Sequence, residues 1–117
     1  MVVLNVSSFS RTSRACLIVL IASCEEILFR GALTGRGVQS ALPLHSLSPL
    51  ELRKVVALAG LYALTTAPLG SVLLATCALL CGCLWGLLGL ATGSLVAPLL
   101  AHVVWDLGVL IVWPLPA

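Results

Sequence analysis

The chain has 117 residues, 61% of them hydrophobic and only 9% charged, whereas soluble domains carry about a quarter of their residues charged. A net charge of +2 with no basic stripe excludes nucleic acid as a partner. Five cysteines with no CxxC pair, Cys16, Cys24, Cys77, Cys81 and Cys83, exclude a disulfide or zinc framework and read as small buried hydrophobes.

In chain order, residues 1–14 form a polar N-terminal segment, and residues 15–117 read as a single helical membrane domain. Crossing a bilayer core takes about 20 helical residues, and four segments approach that length. The first helix is predicted over 15–33, after Arg11 and Arg14 and before Gly35 and Gly37. Residues 34–48 read as a loop holding His45. A second helix is predicted over 49–66, where Ser48, Pro49 and Glu51 supply an N-cap, an N1 proline and a capping-box acid. Pro68 and Gly70 stop it.

The third helix, over 72–90, has no charge and carries Gly82 and Gly86 four apart, which permits close approach of another helix. The fourth, over 95–113, follows Gly93 and a capping Ser94 and ends at Pro114. The fold class expected is therefore all-α: a polytopic integral membrane bundle of about four hydrophobic helices. Lys and Arg occur before the first helix and again after it, so the positive-inside count does not set the orientation.

Five ionisable residues interrupt the apolar segments: Glu25, Glu26, Arg30, His102 and Asp106. An ionised residue at mid-bilayer costs about 2.5 to 3.5 kcal/mol on insertion scales, so each needs a partner or a task. Glu26 and Arg30, four apart, can pair on one helix face, and His102 and Asp106 share a face of the fourth helix. Glu25 is turned about 100° from Glu26 and is the carboxylate left over. It lies about 15 Å into the first helix and His102 about 11 Å into the fourth, so the two groups meet near mid-bilayer. Three chemistries fit: hydrolysis with Glu25 as base, a Glu25–His102–Asp106 metal site, or a proton relay. A fourth reading is that the five residues only staple helices together.

The segments Glu25-Glu26-Ile-Leu-Phe-Arg30-Gly31 and Ser94-Leu-Val-Ala-Pro98-Leu-Leu-Ala-His102-Val-Val-Trp-Asp106 resemble the EExxxR and HxxxN/D motifs of the CAAX protease and bacteriocin-processing family, also called the abortive-infection family. Its members are glutamate-dependent intramembrane endopeptidases related to the type II CAAX prenyl protease. The resemblance implies that Glu25 activates water, that Glu26 and Arg30 form the supporting ion pair, and that His102 and Asp106 stabilise the oxyanion, with neither cofactor nor metal. It also implies a place in a bacterial cytoplasmic membrane and a peptide or lipidated protein as substrate.

The family's middle motif, FxxxH, is matched by Tyr62-Ala-Leu-Thr-Thr66, with Thr66 where the histidine would stand. A hydroxyl binds water but does not act as a base near neutrality. An alternative is thus a catalytically inactive member acting as a membrane binding or regulatory protein. Members commonly carry helices before the EExxxR helix, so this short version of the core implies self-association or helices supplied by a partner.

Overall fold

The computed structural model describes residues 9–32, 44–69 and 71–112. Residues 1–8, most of the loop placed at 34–48, and the end of the fourth helix at Trp113 and Pro114 lie outside the described residues. Among the described residues there are four α-helices and no strand. They are α1 (Arg11–Glu26), α2 (Pro49–Thr66), α3 (Val72–Thr92) and α4 (Val96–Leu107).

Local chemistry sets the ends. α1 begins four residues before the expected Ala15, because the Ser10 hydroxyl accepts the Ser13 amide at 3.1 Å and caps it. At α2 the capping box is complete. The Ser48 amide donates to Glu51 Oε2 at 3.0 Å, the Glu51 amide donates to Ser48 Oγ at 3.3 Å, and Pro49 sits where no N–H is needed. α3 closes at Gly93, whose φ of 62° is left-handed and suits a residue without Cβ. Ser94 Oγ then accepts the Val96 amide at 3.0 Å and starts α4.

Two helices widen rather than stop. α1 passes into a π-helical stretch at Ile27–Ala32, directly after Glu26, and α4 into another at Gly108–Val112, two residues after Asp106. Such turns recur at functional sites, where they re-aim side chains.

The packing order is α2 on α3, α3 on α4 and α4 on α1. Gly82 and Gly86 let α3 approach α2: a Cβ built at Gly82 would stand 3.1 Å from the Ala59 backbone, and one at Gly86 would stand 3.0 Å from Val55. Between the helices lies a small core of Phe29, Tyr62, Ala78, Cys81 and Trp85, with Ala63 and Ala101 against it. Cys81 is buried as expected, but Cys16 and Cys24 are exposed on α1. They belong to its apolar outer surface, so apolar neighbours in sequence did not mean burial.

By length and composition, one described helix suffices to cross a membrane: α3, with a mean hydropathy of 2.2 in its most apolar stretch. α4 with its π turn, Val96–Val112, is apolar but shorter. The other two are held back by charge, Glu25, Glu26 and Arg30 in α1 with its extension and Glu51, Arg53 and Lys54 in α2.

Candidate active site

Of the five ionisable residues singled out in the sequence, Glu25, Glu26 and Asp106 meet at His102, which is fully buried on α4, and Arg30 joins them through Glu26. Its Nδ1 lies 2.7 Å from Glu26 Oε1. The same oxygen takes Arg30 Nη1 at 3.1 Å. As partner of a guanidinium, Glu26 is the acceptor, so Nδ1 donates and the tautomer of the ring is fixed. Arg30 Nη2 in turn donates to the Gly82 carbonyl at 3.0 Å, which ties this edge of the ring to α3. Glu26 Oε2 is buried and receives no hydrogen bond from the protein.

The other edge is looser. Nε2 lies 3.4 Å from Glu25 Oε2, 3.4 Å from Asp106 Oδ2 and 3.4 Å from the Tyr62 hydroxyl. Here the side chains of Glu25 and Asp106 are 16% and 13% exposed, while those of Glu26 and His102 are at 1% and 0%. The roughly 100° between successive residues on a helix therefore does more than separate Glu25 from Glu26: it sets the two carboxylates on opposite nitrogens of one imidazole. Glu26 and Arg30 pair across one turn, and the same Glu26 oxygen is shared with His102.

Aromatic rings hold the imidazole from its faces. Trp85 stacks on His102 with centroids 4.1 Å apart and planes 14° apart. Tyr62 meets Phe29, Trp85 and His102 edge-on at 5.5, 6.4 and 6.0 Å. The Arg30 guanidinium lies 5.8 Å from the centroids of both Tyr62 and Trp85, within cation–π range. These contacts leave His102 little freedom to rotate.

Trp85, Gly82 and the Tyr62 hydroxyl were not singled out as site groups from sequence. A signal existed for two of them. A Trp in the middle of an apolar helix is out of place, since Trp prefers the interface, and a tyrosine hydroxyl that is buried requires a partner. The Gly82 carbonyl had none, because any helix residue carries one. Thr66 is buried, with its hydroxyl donating to the Ala63 carbonyl at 2.7 Å. Its hydrogen is thereby spent on its own helix. His45 sits exposed in the short turn Leu44–Ser46, outside the cluster. Among the described residues no three His, Cys, Asp or Glu side chains are placed to hold a metal ion.

The arrangement can move a proton at Glu25, present hydrogen-bond donors beside it and keep one imidazole in register. Fold and site together define the class, an all-α bundle with a carboxylate–imidazole centre buried between its helices. The model of the Type II CAAX prenyl endopeptidase Rce1-like family matches residues 9–108. The chain belongs to that family, as the two motifs implied, and with it to proteins of CAAX-protease type associated with membranes. No curated protein and no solved structure matches the chain.

Proposed function

We propose that the chain is a glutamate-dependent intramembrane endopeptidase that hydrolyses a peptide bond in a membrane-associated substrate. Glu25 takes the proton of the attacking water, while His102 and Asp106 stabilise the negative charge developing on the carbonyl oxygen. Glu26 and Arg30 hold His102 from behind. The observation that carries this reading is the asymmetry around the ring: the carboxylates facing Nε2 keep some exposure, whereas Glu26, facing Nδ1, is sealed. Water can reach the first pair and not the second.

In this reading the bundle spans the bilayer with several helices. Support comes from the outer surface, where Leu73, Leu80 and Leu84 on α3 and Leu100 and Val104 on α4 are exposed. Only 22% of the apolar stretch of α3 is buried. Large apolar side chains exposed together along two helices mark a surface that meets lipid or a partner. Lipid covers it, joined on the open side of α1 and its π extension, at Leu20 and Ile27, by a second copy or a partner's helices. The family's description directs the choice of substrate to a peptide ending in a prenylated cysteine and three further residues.

The test is cleavage of such a peptide, carrying a fluorophore and quencher, by the purified chain in lipid vesicles. Turnover that disappears in Glu25→Gln is expected. Cleavage that survives this substitution unchanged would overturn the mechanism.

A second reading has its own observation. Thr66 stands where the resemblance places a histidine, and its hydroxyl is committed to Ala63. In that case the chain binds a membrane peptide or partner without cleaving it. It then predicts an inactive wild type in which Thr66→His creates activity.

A further inference from the structure

We propose that Tyr62 is a catalytic residue of this site, its phenolic hydroxyl donating a hydrogen bond to the oxyanion formed on the substrate carbonyl. The inference rests on the hydrolytic reading above and adds a donor to it.

Three observations place the hydroxyl there. It lies 3.4 Å from His102 Nε2, on the edge of the ring where the partly exposed carboxylates of Glu25 and Asp106 are. The ring that carries it is buried and fixed by edge-on contacts with Phe29 and Trp85 and by the Arg30 guanidinium 5.8 Å from its centroid. A hydroxyl held this way keeps its direction when a substrate arrives, which is what a preorganised donor requires. The nearest alternative hydroxyl on the same helix face, Thr66 one turn on, gives its hydrogen to Ala63.

Chemistry favours a neutral donor at this point. His102 Nε2 can donate only when the ring carries two protons, since Nδ1–H is already directed at Glu26. Asp106 can donate only when protonated. The phenol carries its hydrogen in either case. In the step proposed, water oxygen bonds to the carbonyl carbon, a water proton passes to Glu25, and the carbonyl π electrons move to oxygen. Tyr62 O–H, joined by His102 Nε2–H when the ring carries two protons, then solvates that oxygen without transferring a proton. When the tetrahedral centre collapses, the C–N bond breaks and Glu25 returns the proton to the leaving amine.

Tyr62→Phe removes one oxygen and keeps the aromatic packing. In vesicles, with the quenched prenylated peptide as substrate, kcat is expected to fall about 100-fold with KM unchanged, the usual loss for one oxyanion donor. A peptide phosphonate, which mimics the tetrahedral oxyanion, should bind the variant about 100-fold more weakly, while the uncleaved amide peptide should bind as before. A tyrosine that only shaped the packing would not separate these two ligands. If Tyr62→Phe keeps kcat and phosphonate affinity within about twofold while Glu25→Gln is inactive, Tyr62 has no such role and the hydrolytic reading stands. If Glu25→Gln remains active, or the wild type cleaves nothing, that reading fails and the assignment of Tyr62 falls with it.

Discussion

The two edges of the His102 ring are built on different terms. At Nδ1 the contacts are short, 2.7 Å to Glu26 and then 3.1 and 3.0 Å onward through Arg30 to Gly82, and the side chains are sealed. At Nε2 three oxygens stand off at 3.4 Å, from three different helices, and two of them belong to side chains that are partly exposed. One edge is made to hold and the other to accommodate. The difference follows from energetics. A buried ion pair is tolerable only when its geometry is good and its donors are satisfied, whereas groups that must bind a reacting molecule cannot already be saturated by one another.

The largest effect expected on this contrast comes from replacing each glutamate in turn by glutamine. At the loose edge, under the proposed mechanism, Glu25→Gln should lower kcat on the order of 10³-fold or more, because it removes the group assigned as base. The same change should alter unfolding in detergent less than Glu26→Gln does, since the Glu25 side chain keeps some exposure where that of Glu26 is sealed. At the tight edge, Glu26→Gln should reduce activity and stability together, because it removes the charge that Arg30 Nη1 and His102 Nδ1 share. Equal stability losses in the two variants would erase the distinction between the edges.

Next in size is the ion pair itself. Arg30→Ala leaves Glu26 buried without its guanidinium partner, and removing one member of a buried pair costs about 3 to 5 kcal/mol. The measurement is denaturant unfolding of the purified chain in micelles. A loss under about 1 kcal/mol would show that the Nδ1 edge is not the anchor described.

How much of this was legible beforehand depends on which forces set each feature. The capping box at Ser48 follows from neighbours in sequence, and the structure has it, while α3 runs two residues past the expected 90 to close at Gly93. The Glu26–Arg30 pair is equally local, one turn of one helix. The meeting of that pair with His102 is not local. It depends on α4 lying against α1, which two motifs of the same family suggest and which spacing within either helix does not contain. The π turns after Glu26 and near Asp106 had no signal at all, because no residue type marks a change from i→i+4 to i→i+5 bonding. Charge also decides which helices composition alone picks out as spans. The residues that make α1 a candidate site are the ones that lower its hydropathy, so α3 alone among the described helices qualifies by composition.

The smallest effect tests how far the tight edge extends into α3. Arg30 reaches the Gly82 carbonyl, and Gly82 touches Ala59 of α2, so the anchor depends on the close approach of two helices. A methyl group at residue 82 would stand 3.1 Å from both the Cα and Cβ of Ala59, and backbone cannot swing away as a side-chain end can. Gly82→Ala should therefore cost about 1 to 2 kcal/mol, as overpacking does, and should weaken activity by shifting the carbonyl that Arg30 holds. Gly60, also within a helix, has nothing within 4 Å of a built Cβ. There the methyl meets open space, and the ordinary helix preference for alanine should stabilise the fold by about 0.5 kcal/mol. Opposite signs for two identical substitutions, read by unfolding in the same micelles, would tie the close approach at Gly82 to the edge of His102 that holds. The same sign for both would detach the anchor from α3 and leave it to Glu26 and Arg30 alone.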